Sequence, residues 1–460
     1  MTQEYDAIII GTGQSGPPLA GEFEKMGQKT AIIERHKVGG SCVNYGCIPT
    51  KALVASARVA HQARRSGEFG ITAGGVQADM EQVKSRMRKI SAESNEGVTQ
   101  WLEGMEHIKL IRGHARFEGP HRVRVGSELL SAPKIFVNVG ARARVPEMPG
   151  LDEVEYLTST GLLELEELPE HLIVVGGGYV GLEFAQMYRR FGSRVTVVEK
   201  GPRLMKQEDE DVADAVAEIL SDEGLEVRLN AKCIGFEPRD KQTAVRVDCD
   251  DDPPEVVGSH VLLAVGRIPN TDDLGLEEAG IELDKRGYIP VDDCLRSQVD
   301  GIWAIGDCNG EGAFTHTSYN DYEIVASQLF EGGSRRVSDR ITCYALYIDP
   351  PLGRIGMNEQ QARDTGRTVL VGKRPMSKVG RAKEFGQTQG FIKILVDGDS
   401  EEILGAAIIG LSGDEVVHCL LDVMYAKKPY TVISKAVHIH PTVSELIPTV
   451  LQNLQPLESV

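Results

Sequence analysis

No run in this chain approaches 18 consecutive apolar residues, so no membrane-spanning helix is expected. The first residues, MTQEYDAIIIG, lack a basic stretch followed by a long apolar core, which argues against a signal peptide. Positive charge is scarce. Lys and Arg number 50 against 68 Asp and Glu, a net charge of −18, which argues against nucleic acid and anionic membranes as partners. Eight cysteines are too few and too scattered for a disulfide scaffold; a reducing cytoplasm with one functional pair is the simpler account. Low-complexity runs are missing too, so the 50 glycines fit repeated phosphate-binding turns better than disorder. What remains is an ordinary globular composition, long enough for two to four domains with ample core.

The chain is organised around residues 39–51, GGSCVNYGCIPTK. Cys42 and Cys47 stand at i and i+5, and on a regular helix they would point about 140° apart. A disulfide needs Cα atoms within roughly 7 Å, so the helix start must be distorted. Gly46 supplies backbone freedom there, Gly39 and Gly40 let the chain pass close to a bulky ligand, and Pro49 suits an early helical position. A cysteine at a helix start with Lys51 nearby is expected to have a lowered thiol pKa. Read locally, the stretch is a redox dithiol set against a flavin, two structural cysteines, or half of a metal site. No second ligand pair of similar spacing follows.

Upstream, YDAIII (5–10) reads as a buried strand, GTGQSG (11–16) as a turn into a helix, and KTAIIE as a second strand ending at Glu34. This is a dinucleotide fingerprint in its proper context. Gly11 allows the tight turn, Gly13 lets the backbone reach a pyrophosphate, Gly16 lets helix pack on strand, and Glu34 can accept ribose hydroxyls. A tight βα turn with no ligand is the plain alternative. Residues 52–112 read as mainly helical, with Arg58, Arg64 and Arg65 on a solvated face. Residues 121–125 and 134–139 alternate like strands, IFVNVGA closes that segment, and RVPEMPG (144–150) reads as a linker.

A second copy follows: LIVVG, then GGGYVG at 176–181 with Gly176, Gly178 and Gly181, a helix, and RVTVVEK carrying Glu199. The acid follows the first glycine at the same interval in both copies, which implies two dinucleotides. Glu199 favours a free 2′-hydroxyl, hence NAD(H) over NADP(H), although Lys200 and Arg203 lie close enough to accept a 2′-phosphate. VLLAVGRIPN (261–270) closes the second unit. IWAIGDC (302–308) ends in Gly306-Asp307, a carboxylate at a strand end that suits ribityl hydroxyls or a helix cap, so the first unit is split by the second. From about residue 343, FIKILVD, LGAAIIG and the segments DEVVHCLLDVMYAKK and TVSELIPTVLQNL suggest an α+β domain. Near its end, His438 and His440 are structural, proton-transferring with Glu445 holding the ring, or metal-ligating.

Taken together, GTGQSG with Glu34, GGSCVNYGCIPTK, GGGYVGLE with Glu199, VGRIPN, Gly306-Asp307 and HPTVSE make a chain that closely resembles the flavin-dependent pyridine nucleotide–disulfide oxidoreductases over essentially its whole length. Relatives with this motif order include dihydrolipoamide dehydrogenase, glutathione reductase and mercuric reductase. The chain is most similar to mercuric-reductase-like proteins and to flavoreductases of reactive-chlorine or hypothiocyanous-acid stress. The resemblance implies an α/β fold of two Rossmann-like domains plus an α+β dimerisation domain. It divides the chain into an FAD domain at 1–150, an NAD(P) domain at 151–272, a central region at 273–342 completing the FAD domain, and a dimerisation domain at 343–460.

The same resemblance implies a homodimer in which His440 serves the partner's site, Cys47 as the flavin-side thiol, and Cys42 as the thiol that attacks substrate. It matches Lys51 and Glu183 to an ion pair beside the flavin, and Tyr179 to a ring covering the nicotinamide pocket. It adds Gly40, Ser41, Lys51, Ala115, Gly140, Gly266, Arg267 and Thr315 to the cofactor-binding set. Electrons would pass between NAD(P)H, FAD and a Cys42–Cys47 redox disulfide to reduce a small disulfide or thiol-reactive oxidant. Oxidation of protein-bound dihydrolipoamide with NAD is the alternative. A redox-sensing flavin-binding protein, or a flavin reductase that bypasses the thiols, belongs to another class. Hg(II) reduction is not favoured: the last cysteine is Cys419, so no C-terminal cysteine pair hands the ion inward. Tyr45, between the cysteines, stands where it can narrow access to them.

Overall fold

The computed structural model describes residues 2–232, 234–247 and 254–458. Two parallel sheets form its nucleotide-binding part. In the first, the strand order is Ile302–Ala304, Ile135–Val137, Ala7–Ile10, Thr30–Glu34, Ile108–Arg112. Every neighbouring pair is parallel. Ala7–Ile10 and Thr30–Glu34 are buried at every position, which is why they read as unbroken β-branched runs and not as alternating ones. The second sheet orders Glu226–Arg228, Arg194–Val198, His171–Val175 and His260–Leu263, again all parallel. Strand 302–304, which follows the whole second unit in sequence, pairs with 135–137 of the first.

The nucleotide-binding part carries the helices α1 (Gly16–Lys25), α2 (Gly40–Asn44), α3 (Cys47–Arg64), α4 (Met80–Glu103), α5 (Ser159–Glu164), α6 (Tyr179–Phe191), α7 (Glu210–Asp222) and α8 (Thr315–Phe330). The two fingerprints share a steric solution. A Cβ on Gly11 would lie 2.2 Å from the Asn138 carbonyl oxygen, and one on Gly176 2.4 Å from that of Ala264. A Cβ on Gly16 would lie 2.5 Å from the Gly11 oxygen, and one on Gly181 2.4 Å from the Gly176 oxygen. In both units the helix start therefore presses on the turn that precedes it, a closeness only glycine permits.

The C-terminal part is a six-stranded sheet ordered Cys343–Leu346, Leu352–Gly356, Ile403–Ile409, Phe391–Asp397, Val369–Pro375, Gln455–Pro456, antiparallel throughout. Its helices are shorter than the sequence suggests. DEVVHCLLDVMYAKK gives Gly413–Val416 and His418–Tyr425, and the last segment gives only a turn at Ser444–Leu446 and a helix at Ile447–Leu451.

Two further readings are corrected. Residues 108–112 form the edge strand of the first sheet, not helix. Ile108 and Ile111 are buried between exposed Lys109 and Arg112, a short edge pattern that the preceding 24-residue helix α4 obscures. Arg58, Arg64 and Arg65 are not a free solvated face. Arg58 lies 3.3 Å from Asp349, Arg64 donates to the Arg190 carbonyl, and Arg65 donates to Glu68 and, at 2.7 Å, to the Gly386 carbonyl. They tie α3 to the second nucleotide unit and to the C-terminal part. Among the described residues, no helix is long and apolar enough to cross a membrane.

Candidate active site

The distortion required between the cysteines is a full helix break. Cys42 sits in the middle of α2, the chain leaves helical geometry at Tyr45 and Gly46, and Cys47 is the first residue of α3. A Cβ on Gly46 would sit 3.0 Å from the Ser41 carbonyl oxygen, so the bend also needs glycine for space. The break cancels the angular offset of a continuous helix and brings the two side chains into hydrogen-bond contact. Both are free thiols here.

Their protons are not equivalent. The Cys42 thiol hydrogen-bonded to it, assisted by the Thr315 hydroxyl at 3.1 Å and by Lys51, lowers Cys47 to about 6 against the opposing effects of burial and Glu183. Cys42 is pushed upward by the same hydrogen bond and by burial. Both effects draw the first ionisation of the pair to Cys47, which stands at the N-terminus of the 18-residue α3.

Lys51, one turn along α3, meets Glu183 of α6 with Nζ 2.8 Å from Oε2; the carboxylate is 5% exposed. The Tyr179 ring, at the start of α6, lies 5.3 Å from that of Phe314, and burial raises its phenol pKa. Arg267 approaches Asp307 to 3.6 Å, and burial pushes the Asp307 carboxyl up despite that cation.

These groups surround one cleft of about 940 Å³. Its lining includes Gly11, Gly13, Glu34, Gly40, Ser41, Cys42, Cys47, Lys51, Ala115, Gly140, Tyr179, Glu183, Arg267, Asp307 and Thr315. The volume is at the upper end for a cofactor site. Gly140, with φ +66°, faces open space where a Cβ would project. A turn of glycines, an acid at a strand end, a mostly buried carboxylate at 307 that still reaches the cleft, and this volume fit an extended dinucleotide such as FAD.

The two terminal acids also share a geometry. Glu34 accepts the Thr12 hydroxyl and the backbone N–H groups of Thr12 (3.1 Å) and His36 (2.8 Å). Glu199 accepts the N–H groups of Gly177 (2.6 Å) and Gly201 (2.7 Å). Each acid thus pins the residue after its first glycine.

Not every candidate residue meets in the cleft. Gly16 and Gly306 lie beneath it, Gly306 donating to Asp321 at 2.7 Å. Gly176, Gly178, Gly181, Glu199 and Gly266 belong to the second unit and do not line it. His440 and Glu445 stand elsewhere in this chain: His440 Nδ1 is 2.9 Å from Glu445 Oε2, and the imidazole is 81% exposed. His438 faces the Ala436 carbonyl at 3.2 Å. Tyr45 lines the cleft, but its ring turns to Lys37, 5.5 Å from Nζ.

Some residues escaped sequence reasoning. Asn138 donates to the carbonyls of Gly11 and Gly13, both at 3.2 Å, holding the first turn to the adjacent strand. Its signal was a lone amide inside the apolar run IFVNVGA. Asp321, which receives Gly306, Asn309 and Arg340, and Tyr347, beside Lys51, gave no local signal.

Comparison with known proteins agrees with this geometry. Residues 5–321 match the family model described as pyridine nucleotide-disulphide oxidoreductase, and 342–451 match the dimerisation domain of the same family. The probable pyridine nucleotide-disulfide oxidoreductase RclA of Escherichia coli is 36% identical over 96% of this chain and 97% of its own length. Its structure, described as an HOCl-induced flavoprotein disulfide reductase, superposes with a TM-score of 0.89 over 97% of this chain and 99% of the other. The dihydrolipoyl dehydrogenase of Thermus scotoductus is 33% identical over 96% of this chain and 95% of its length. A mercuric reductase of Staphylococcus aureus is 30% identical over 90% and 76%.

Proposed function

The chain belongs to the pyridine nucleotide–disulfide oxidoreductases, which are FAD-dependent, and we propose that it spends NADH to reduce a small disulfide or thiol-reactive oxidant through Cys42 and Cys47. The observation that carries this reading is the Cys42–Cys47 contact with Cys47 lowered to about 6. One thiol of the pair is held as thiolate inside the cleft and the other keeps its proton.

Residues 1–150 and 273–342 form the FAD unit, 151–272 the NAD unit and 343–460 the dimerisation unit. Gly11, Gly13, Gly16, Glu34, Gly40, Ser41, Ala115, Gly140, Gly306, Asp307 and Thr315 would hold FAD, and Lys51 with Glu183 would serve its reactive ring. FAD, when bound, supplies the two-electron relay between nicotinamide and cysteines. Gly176, Gly178, Gly181, Glu199, Gly266 and Arg267 would hold the nicotinamide dinucleotide, and Tyr179 would cover its pocket.

In the reduced pair, the thiol needing deprotonation before it can act is Cys42. Its sulfur then attacks a substrate sulfur, forming a mixed disulfide and expelling a thiolate. Cys47 attacks the Cys42 sulfur, releases the second substrate thiolate and closes the Cys42–Cys47 disulfide. Two electrons leave the pair, and the substrate leaves as one thiol, which carries the former Cys42 proton, and one thiolate, which takes its proton from solvent. The proton from Cys42 passes to the leaving thiolate by way of His440 of the partner subunit, whose ring is oriented by Glu445. Exposure of His440 in a single chain and its 2.9 Å contact to Glu445 support that role. The same machinery run in reverse is the dihydrolipoamide reading, favoured by the His440–Glu445 pair and the dihydrolipoyl dehydrogenase relatives. A kcat/KM panel with lipoamide, dihydrolipoamide, glutathione disulfide, hypothiocyanite and Hg(II) separates the two.

The Cys47 assignment predicts a pH signature. On two-electron reduction the FAD-loaded protein is expected to show a long-wavelength thiolate–flavin band with a midpoint near 6, present above that pH and fading below it as Cys47 takes up its proton. Cys47→Ser removes the band; a band that survives the substitution contradicts the assignment.

Dinucleotide choice is equally testable. A carboxylate at the end of the second unit's strand, Glu199, repels a 2′-phosphate and favours a free 2′-hydroxyl, so kcat/KM for NADH should exceed that for NADPH by at least about tenfold. Glu199→Ala should narrow the gap. Equal use of the two cofactors by the unaltered protein would remove the NAD assignment.

A further inference from the structure

Tyr347 follows the strand Cys343–Leu346 and enters the cleft from the six-stranded sheet. It touches both members of the Lys51–Glu183 pair. Its backbone N–H donates to Glu183 Oε1 at 3.0 Å, and its ring centre lies 4.5 Å from Lys51 Nζ. Glu183 Oε2 receives Lys51 at 2.8 Å, so the three residues close a triangle.

A lysine ammonium is a point charge on a flexible stem, and one carboxylate oxygen leaves it free to pivot. Lys51 is one-third exposed, so water competes for it. A ring face under the ammonium limits that freedom by cation–π attraction. Lys51 stands at i+4 from Cys47 on α3, where side chains share a face. The position of its charge therefore sets how much positive potential the Cys47 sulfur feels.

We propose that Tyr347 is a positioning residue that fixes Lys51 against Glu183 and, through Lys51, tunes the thiolate character of Cys47. The proposal rests on the reading of Cys47 and Lys51 given above and adds a third sheet's contribution to it. The groups that face Cys47 are Cys42, Thr315, Lys51 and Glu183; Asp414, Glu183, Cys47 and Glu415 act on the Tyr347 phenol. Removing the ring loosens the favourable cation while Glu183 stays held by a backbone amide that any residue at 347 supplies. The sign follows: Cys47 becomes harder to ionise.

The test uses the FAD-loaded Cys42→Ser protein, in which Cys47 is the pair's sole thiol and a hydroxyl stands in for its neighbour. Two readouts are titrated against pH: the long-wavelength thiolate–flavin band, and alkylation of Cys47 by iodoacetamide followed by mass spectrometry. Tyr347→Leu is expected to raise both midpoints by about half a unit, which is about threefold less thiolate at a fixed pH below the midpoint. Tyr347→Phe keeps the ring and should keep the midpoint. In a Lys51→Met background, Tyr347→Leu should add no further shift. A Tyr347→Leu midpoint equal to that of the parent, or a shift of full size without Lys51, overturns the proposal. If Lys51→Met alone leaves the midpoint unmoved, the reading of Lys51 itself fails. Should Tyr347→Leu not retain FAD, Tyr347→Met replaces it, with the same outcomes decisive.

Discussion

Cys42→Ala is expected to cost on the order of 10³-fold or more in kcat with any disulfide substrate, while FAD stays bound. The loss is large because the two sulfurs are not interchangeable. Cys47 bonds to the Thr315 hydroxyl and feels Lys51, both of which line the cleft, and its lowered pKa makes it a stable resident anion. A thiol of low pKa is also a weaker intrinsic nucleophile. Cys42 carries the raised pKa, so its thiolate, once formed by a base, is the more reactive sulfur. Without it no mixed disulfide forms, and Cys47 has no partner with which to close a disulfide and deliver two electrons. Steady-state NADH oxidation with glutathione disulfide and with lipoamide measures the effect. Disulfide reduction by Cys42→Ala at the parent rate would mean that electrons leave the flavin directly and the thiols are bypassed.

Legibility in the sequence followed the range of the interactions. The two fingerprints were readable because glycine, turn, helix and acid are local and recur at one spacing. The structure adds why glycine is needed, through contacts with the carbonyls of Asn138 and Ala264. The cysteine pair was readable from its own 13 residues, and the required helix break lies at Tyr45-Gly46. The Lys51–Glu183 contact spans 132 positions, and no spacing rule reaches it; only the resemblance supplied the pairing. Arg58 was misread for the same reason. On its helix it looks like a surface charge, and its partner Asp349 lies in another part of the chain. Tyr347 was silent because a tyrosine after a strand is ordinary until the lysine above it is known. The edge strand 108–112 was lost because its alternation runs for only five residues.

Asp349→Ala should destabilise the fold by about 2–3 kcal/mol, the cost of removing one of the two carboxylates that neutralise a buried guanidinium. Arg190, on α6, places NH1 2.7 Å from Asp349 and NH2 2.6 Å from Glu223, and the Arg190 and Asp349 side chains are 4% and 3% exposed. Arg58 from α3 approaches the same carboxylate, and Gln387 donates to it at 3.1 Å. The network therefore joins the helix that begins at Cys47, the helix that carries Glu183, and the segment that carries Tyr347, three walls of one cleft. Burial pushes the Asp349 carboxyl up, but Arg190 and Arg58 outweigh it and hold it below its ordinary range. Its contribution to stability is accordingly present above the ordinary aspartate pKa and lost as pH falls through the depressed folded value. His61 acts in the same direction. Burial and Arg190 lower its pKa, so the unfolded chain binds a proton that the folded chain refuses, and stability declines as pH drops below about 6.5. Urea unfolding of the FAD-loaded protein across pH should show both windows in the parent and only the upper one in Asp349→Ala. Asp349→Asn keeps the side-chain oxygen for Gln387 but not the charge, and is expected to fall between the two. An Asp349→Ala midpoint indistinguishable from the parent at pH 7 would mean that solvent reaches Arg190 once the carboxylate is gone, and that the three walls are held together by packing alone.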